Sequence, residues 1–161
     1  MTALDAQELL KPFMPEFREI TLRVAANTDS RLLMSWRNDI ETRRNSKKMR
    51  KVTQLEHRAW LCKTLNDPLT KLFIILVDGK AAGTVRAVHD SETWLLSWTV
   101  SPELRGQNIG YEAVAKLIPQ LHGIIRAEVK IDNHPSIRIV EKLGMECIEV
   151  KEKITAWILR R

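Results

Sequence analysis

The residues best placed to do chemistry lie between Ser97 and Val114, and the chemistry on offer is that of the main chain. Trp94 to Val100 is apolar and rich in strand formers, and Ser101 to Asn108 holds the Pro, Gly and Asn of a turn. From Ile109 onward, Ala113, Val114, Leu117 and Leu121 recur at helical spacing. A strand that passes through a Gly-containing turn into a helix leaves unpaired N–H groups at the helix start. Together with the positive end of the helix dipole they suit a phosphate or pyrophosphate. Neither Gly-x-x-x-x-Gly-Lys-[Ser/Thr] nor Gly-x-Gly-x-x-Gly occurs, so spacing alone leaves an ordinary strand–turn–helix connection equally open.

The wording of the turn goes further. Arg105-Gly106-Gln107-Asn108-Ile109-Gly110, after a strand that ends Val100-Ser101-Pro102, resembles the acetyl-CoA motif Arg-x-x-Gly-x-Gly/Ala of the GNAT acyltransferases. Asn108 stands where that family usually has Gly, and Asn tolerates positive φ better than other residues that carry a side chain. A second segment, Ile131 to Met145, is similar to the family's later motif: Asn133-His134-Pro135-Ser136, a helix, then Glu141-Lys142-Leu143-Gly144-Met145. The two motifs stand in the family's order, and the resemblance covers about residues 18 to 160. It implies an α/β (α+β) fold: a mixed, mostly antiparallel central sheet of six to seven strands, splayed in the middle and flanked by about four helices. It also implies acetyl-CoA as co-substrate and no metal.

The resemblance assigns residues as well. Two strands ending near Val100 and Ile131 would part to admit pantetheine, with the main chain of Thr99 and Val100 binding it and polarising the thioester carbonyl. The amides from Arg105 through Gly106, Gln107, Asn108, Ile109 and Gly110 would hold the pyrophosphate, so Gly110→Trp is expected to abolish binding. Asn133 and Ser136 match positions that touch the cofactor, and both would also cap a helix. Trp36-Arg37-Asn38-Asp39 looks like a block found in members that acetylate amino-sugar nucleotides and in relatives of the ribosomal-protein acetyltransferases. It makes Arg37, Asn38 and Arg44 the candidate acceptor-binding residues, with Trp36 assigned to the core.

The implied reaction is direct attack of a neutral amine on acetyl-CoA. Many members carry a Tyr just before Glu-Lys-Leu-Gly to protonate the departing thiolate; here that position is Val140, and the only tyrosine, Tyr111, starts the pyrophosphate helix. Candidate bases are His89, at a strand end, and Glu128, on the splayed strand, while His57, His122 and His134 read as surface or loop residues. With no strong base, the amine's own pKa decides. Deprotonating a lysine at pH 7 costs roughly 4.6 kcal/mol and an α-amine about 1 kcal/mol. Sugar amines and protein N-termini therefore suit the site better than lysine side chains. The acceptor is expected to be a small anionic amine, with acetylation of a protein N-terminus and a non-catalytic CoA-binding domain as the alternatives.

Composition sets the frame. The 161 residues are 44% hydrophobic and 29% charged, which fits one soluble globular domain over 18–161 behind an extension over 1–17. A net charge of +6 favours anionic ligands. Arg43 to Lys51 holds six basic residues and no acidic one, which reads as a mobile loop or a flap for an acidic acceptor. No aromatic residue interleaves it, which argues against nucleic acid. Cys62 and Cys147 match no metal spacing and read as packed thiols. Asp5 and Glu8 argue against a signal peptide, and Leu72–Val77 is too short to cross a bilayer, so the cytoplasm is the expected compartment. A homodimer is left open.

The remaining elements follow from local signals. Ala3–Leu10 suggests a short helix, Arg18–Ala26 alternates as a strand, and Thr28 or Asp29 caps a helix through Trp36. Thr53-Gln54-Leu55-Glu56 is a capping box that starts a helix ending at Asn66-Asp67-Pro68. Leu72–Val77, the Asp78-Gly79 turn, Lys80–His89 and the strand to Val100 read as an antiparallel meander. Ile124–Ile131 is a strand, and Met145–Val150 with Ile154–Leu159 a final hairpin.

Overall fold

Residues 18–161 are described by a computed structural model, so the helix expected over Ala3–Leu10 lies outside the described residues. In chain order the elements are β1 (Ile20–Val24), α1 (Ser30–Asn38), α2 (Ile40–Arg44), α3 (Gln54–Asn66), β2 (Thr70–Val77), β3 (Lys80–Asp90), β4 (Thr93–Val100), α4 (Ile109–Leu117), β5 (Ile124–Lys130), α5 (His134–Lys142), β6 (Glu146–Lys151) and β7 (Ile154–Arg160). The strands form one sheet in the order β1-β2-β3-β4-β5-β7-β6. Every pairing is antiparallel except β4 with β5. This is the expected mixed, mostly antiparallel α/β sheet, with seven strands and five α-helices among the described residues.

The turns form where the sequence supplies residues for them. Asp78 and Gly79 both take positive φ, as a two-residue hairpin needs, and Ser91 does so between β3 and β4. Thr53 accepts from the Glu56 N–H, and Glu56 reaches back to the Thr53 N–H, completing the capping box of α3. Asp29 ends β1 and starts α1: it binds Arg23 through two hydrogen bonds and accepts from the Ala26 N–H.

Alternation along the strands sends side chains to two cores. Val85, Ala87, Leu96, Ile125 and Ala127 pack beneath Ile109, Ala113, Val114 and Leu117 of α4. On the opposite face, Leu72 and Ile74 pack against Leu33 and Trp36 of α1 and Leu61 of α3. Trp36 is thus a core residue, as expected.

One expectation is corrected here. Cys62 and Cys147 are exposed, because Cys62 lies on the outer face of α3 and Cys147 on the open edge strand β6, where no layer covers it. The basic stretch lies largely exposed on the surface, as a solvated loop or flap would, and several of its residues are hydrogen-bonded. Asn38 clamps Val52 by accepting from its N–H at 2.8 Å and donating to its carbonyl at 2.9 Å. Arg37 donates to the Lys48 carbonyl, Arg43 to the carbonyls of Asn38 and Met49, and Arg50 pairs with Glu56. Arg44, Lys47, Lys48, Arg50 and Lys51 nevertheless remain exposed, so the segment's charge faces solvent.

Candidate active site

The parallel pairing of β4 with β5 runs only from Thr93↔Ile124 to Leu96↔Ala127. β4 remains paired to β3 as far as Val100, and β5 to β7 as far as Lys130. Each strand therefore holds its outer partner while the two part from each other, opening the sheet at Ser97–Val100 and Glu128–Lys130. The Ser101 N–H donates to the Ala82 carbonyl of β3 at 2.8 Å. Since main-chain groups alternate along a strand, the N–H groups of Trp98 and Val100 point away from β3, into the gap. Gly83 lies opposite Val100, and a Cβ there would sit 2.3 Å from the Thr99 carbonyl oxygen, so β3 can hold this end of β4 only through a glycine.

The gap continues into the turn before α4. Gly106 and Asn108 both take positive φ, +75° and +66°, so Asn108 does adopt the left-handed conformation its position requires. The first main-chain bond of α4 is Glu112 N–H to the Asn108 carbonyl. Among the described residues no acceptor meets the main-chain N–H groups from Arg105 to Tyr111. Gly106, Gln107 and Asn108 are exposed, so this is a row of open donors at a helix N-terminus. Arg18 steadies the row from outside by donating to Gln107 and Glu112. Gly110 is buried, and a Cβ there would meet Ile139 Cδ1 at 3.0 Å, so Gly110→Trp would displace α5 as well as block the donors.

One cavity of about 1020 Å³ joins the gap, this turn and the opposite face of the sheet. Of the residues expected at a site, Arg37, Thr99, Val100, Arg105, Gly106, Asn108, Ile109, Gly110, Glu128, Asn133 and Ser136 line it, whereas Asn38, Arg44, His89 and Gln107 do not. Asn38 is spent on clamping Val52, and Arg44 pairs with Glu41 on the surface. His89 is on β3 opposite Trp94, whose ring it meets at 4.7 Å, at the end of the strand remote from Gly83 and the gap; it cannot reach that site as a base. Gln107 points its carbonyl at Arg18.

The lining residues differ in their freedom to act. Arg105 bridges to Asp39 and Thr42 of α2, so its guanidinium ties the turn to that helix. Burial works against the Asp39 carboxylate, but hydrogen bonds from Arg105 and Thr42 outweigh it and hold its pKa below the ordinary value. Glu128 faces Lys47, with Arg126 at 3.7 Å. Asn133 accepts from the Ser136 N–H at 3.3 Å as the cap of α5. Val140 is fully buried beneath the sheet and does not line the cavity.

The sequence reading missed the acceptor wall. His57, read as a surface residue, is 3% exposed because it sits on the inner face of α3 with Leu61 and Thr64. Burial lowers its pKa, partly offset by a hydrogen bond to the Ser30 backbone, and its Nε2 has no partner among the described residues. Trp60 and Arg86 also line the cavity, the guanidinium 5.9 Å from the centre of the indole. A capping box places His57 and Trp60 three residues apart on α3, and that spacing was the available signal for this wall. On the cofactor side, Arg138 and Lys142, one turn apart on α5, face the turn.

Comparison with known proteins agrees with this geometry. Among curated proteins no sequence matches significantly. Solved structures that share the fold include the following three. A domain from Methanocaldococcus jannaschii is 19% identical, with a TM-score of 0.79, covering 89% of this chain and 99% of that one. Spermidine N-acetyltransferase from Vibrio cholerae, in complex with CoA and spermine, is 14% identical, with a TM-score of 0.76 and coverage of 88% and 95%. Ribosomal-protein-alanine N-acetyltransferase from Brucella melitensis is 18% identical, with a TM-score of 0.72 and coverage of 88% and 99%. The acetyltransferase (GNAT) family model matches residues 31–145, spanning the parted strands, the open donor row and α5, and the chain belongs to that family.

Proposed function

We propose that the protein transfers an acetyl group from acetyl-CoA to a primary amine of a small anionic molecule, with an amino-sugar nucleotide as the leading acceptor. The observation that carries this reading is the continuity of open donors at Arg105–Tyr111, parted strands and acceptor wall in one cavity. The row of N–H groups suits a pyrophosphate, and Arg138 and Lys142 add charge beside it. The gap takes a narrow chain, and the Val100 N–H meets the negative charge that grows on the thioester oxygen. The amine nitrogen bonds to the carbonyl carbon, the carbon–sulfur bond breaks, and the amine's proton passes to solvent.

The position where many family members carry a proton-donating tyrosine is the buried Val140, and a thiol of pKa about 8.5 leaves without help. A weakly basic amine, neutral in good fraction near pH 7, suits this arrangement. The lining holds six cationic residues (Arg37, Lys47, Arg86, Arg105, Arg138, Lys142) against two acidic ones (Glu41, Glu128). Such a wall repels polycations of the spermine type and favours an acidic acceptor.

The test is incubation with acetyl-CoA and a panel of amines, reading thiol release and product mass. Thiol release with an acidic sugar amine, and none with spermine, is the expected outcome. Release only with peptides bearing a free N-terminus would favour a protein acceptor, the class named for the Brucella melitensis protein. A melting temperature raised by acetyl-CoA with no release from any amine would leave a binding domain.

A further inference from the structure

Each acidic residue of the cavity wall already has a cationic partner: Glu41 has Arg44, and Glu128 has Lys47 and Arg126. Two arginines of the acceptor wall have no carboxylate. The Arg86 side chain forms no ion pair or hydrogen bond among the described residues and lies against the Trp60 ring. Arg37 uses Nη2 on the Lys48 carbonyl, while its Nη1 is buried without a partner. Burial lowers the pKa of both, and Arg43 and Arg50 add repulsion at Arg37. An arginine stays charged in such a place, and two half-buried charges without a counterion are costly unless a ligand supplies one.

Their position defines what that ligand must span. Arg86 pairs across the sheet with Ser97, the first residue of β4 beyond the last contact with β5. Val100, whose N–H faces the gap, lies three residues further, about 10 Å along the strand. Arg86 and Thr84 share the acceptor face of β3 and both line the cavity. His57 stands 5.5 Å from Trp60 by ring centres, and its buried Nε2 has no partner among the described residues.

We infer that Arg86, against the Trp60 ring, and Arg37 form a phosphate anchor that holds the acceptor's phosphate on the order of 10 Å from the amine to be acetylated. The inference rests on the reading of the protein as an acetyltransferase and adds the group that selects the acceptor. Two guanidinium forks match the oxygens of a phosphate ester, and the indole gives a sugar ring an apolar face to lie on.

The test compares glucosamine, glucosamine 6-phosphate and UDP-glucosamine as acceptors for the wild type, Arg86→Gln and Arg86→Lys. The phosphorylated amines are expected to exceed glucosamine in kcat/KM by about tenfold or more, through KM. Arg86→Gln is expected to shrink that preference by about tenfold, and Arg86→Lys to restore part of it. Equal use of all three amines, or a variant that lowers all three alike, overturns the anchor. Calorimetric titration of the same sugars into CoA-saturated protein separates the two proposals. Phosphate-selective binding that Arg86→Gln weakens, without thiol release, upholds the anchor and sinks the transfer reaction. Absence of selective binding sinks the anchor whatever the turnover. Circular dichroism of each variant checks that the fold is retained.

Discussion

At the scale of single residues, the site depends on conformation more than on side-chain chemistry. Asn108 shows why. Its φ of +66° turns the chain so that the next N–H groups point outward together, and its side chain caps nothing in α4. Asn108→Gly should therefore keep acetyl-CoA affinity within about twofold, whereas Asn108→Val forces a β-branched residue into left-handed backbone at about 1–2 kcal/mol. Calorimetric titration with acetyl-CoA checks the pair, and equal affinity for Gly and Val at this position would show that the turn does not need that conformation. Val140 makes the converse point. Motif reading marks it as the place of a missing proton donor, but the side chain is fully buried in the core beneath the sheet. Val140→Tyr should leave kcat no higher and cost about 1–3 kcal/mol by overpacking, measured by denaturant unfolding. A rise in kcat would mean that the ring had found its way into the gap.

At the scale of elements, the gap is made by unequal loyalties of two strands. β4 follows β3 and β5 follows β7, so a cofactor channel opens without any break in either strand. Gly83 is the joint that allows it, because any Cβ would overlap a carbonyl oxygen of the neighbouring backbone, which no rotamer change relieves. Gly83→Ala should destabilise the protein by about 2 kcal/mol or more. In the fraction that folds, it should weaken acetyl-CoA binding more than Asn108→Gly does. A thermal melt indistinguishable from wild type would show that β3 and β4 are not held together at this point. The link from Arg105 to Asp39 and Thr42 joins the donor row to α2.

At the scale of the whole molecule, charge governs both stability and encounter. Burial gives His57 a folded pKa below its unfolded value of about 6.5, so the unfolded chain binds the proton more readily. That contribution is complete above the unfolded pKa and is lost as pH falls below it. The carboxylates act lower. Asp29 is held down chiefly by Arg23, Asp67 chiefly by Thr70, and Glu56 is lowered to about 2 chiefly by Arg50. Their stabilisation is full above the ordinary carboxylate range and disappears as pH drops through their folded values. Thermal melts should thus show a shallow decline below about pH 6.5 and a steeper one below about pH 4. In His57→Gln the shallow phase should vanish; its persistence would assign that phase to another group.

Much of the fold was legible because local signals and global structure agree. The capping box, the Asp78-Gly79 turn, the alternation in β2 and β3 and the two motifs each specify a short piece, and all pieces fit one sheet. The donor row was legible for the same reason, since a turn's backbone is fixed by its own Gly and Asn. The motif resemblance pointed to the two strands that part, but where their pairing stops, at Leu96 and Ala127, depends on partners more than twenty residues away. The sequence also could not show that Asn38 is used up on Val52, or that His89 and the gap lie at opposite ends of β3. Main-chain conformation is largely a local property, while the company a side chain keeps is decided only when distant segments pack, and the acceptor wall consists of such company.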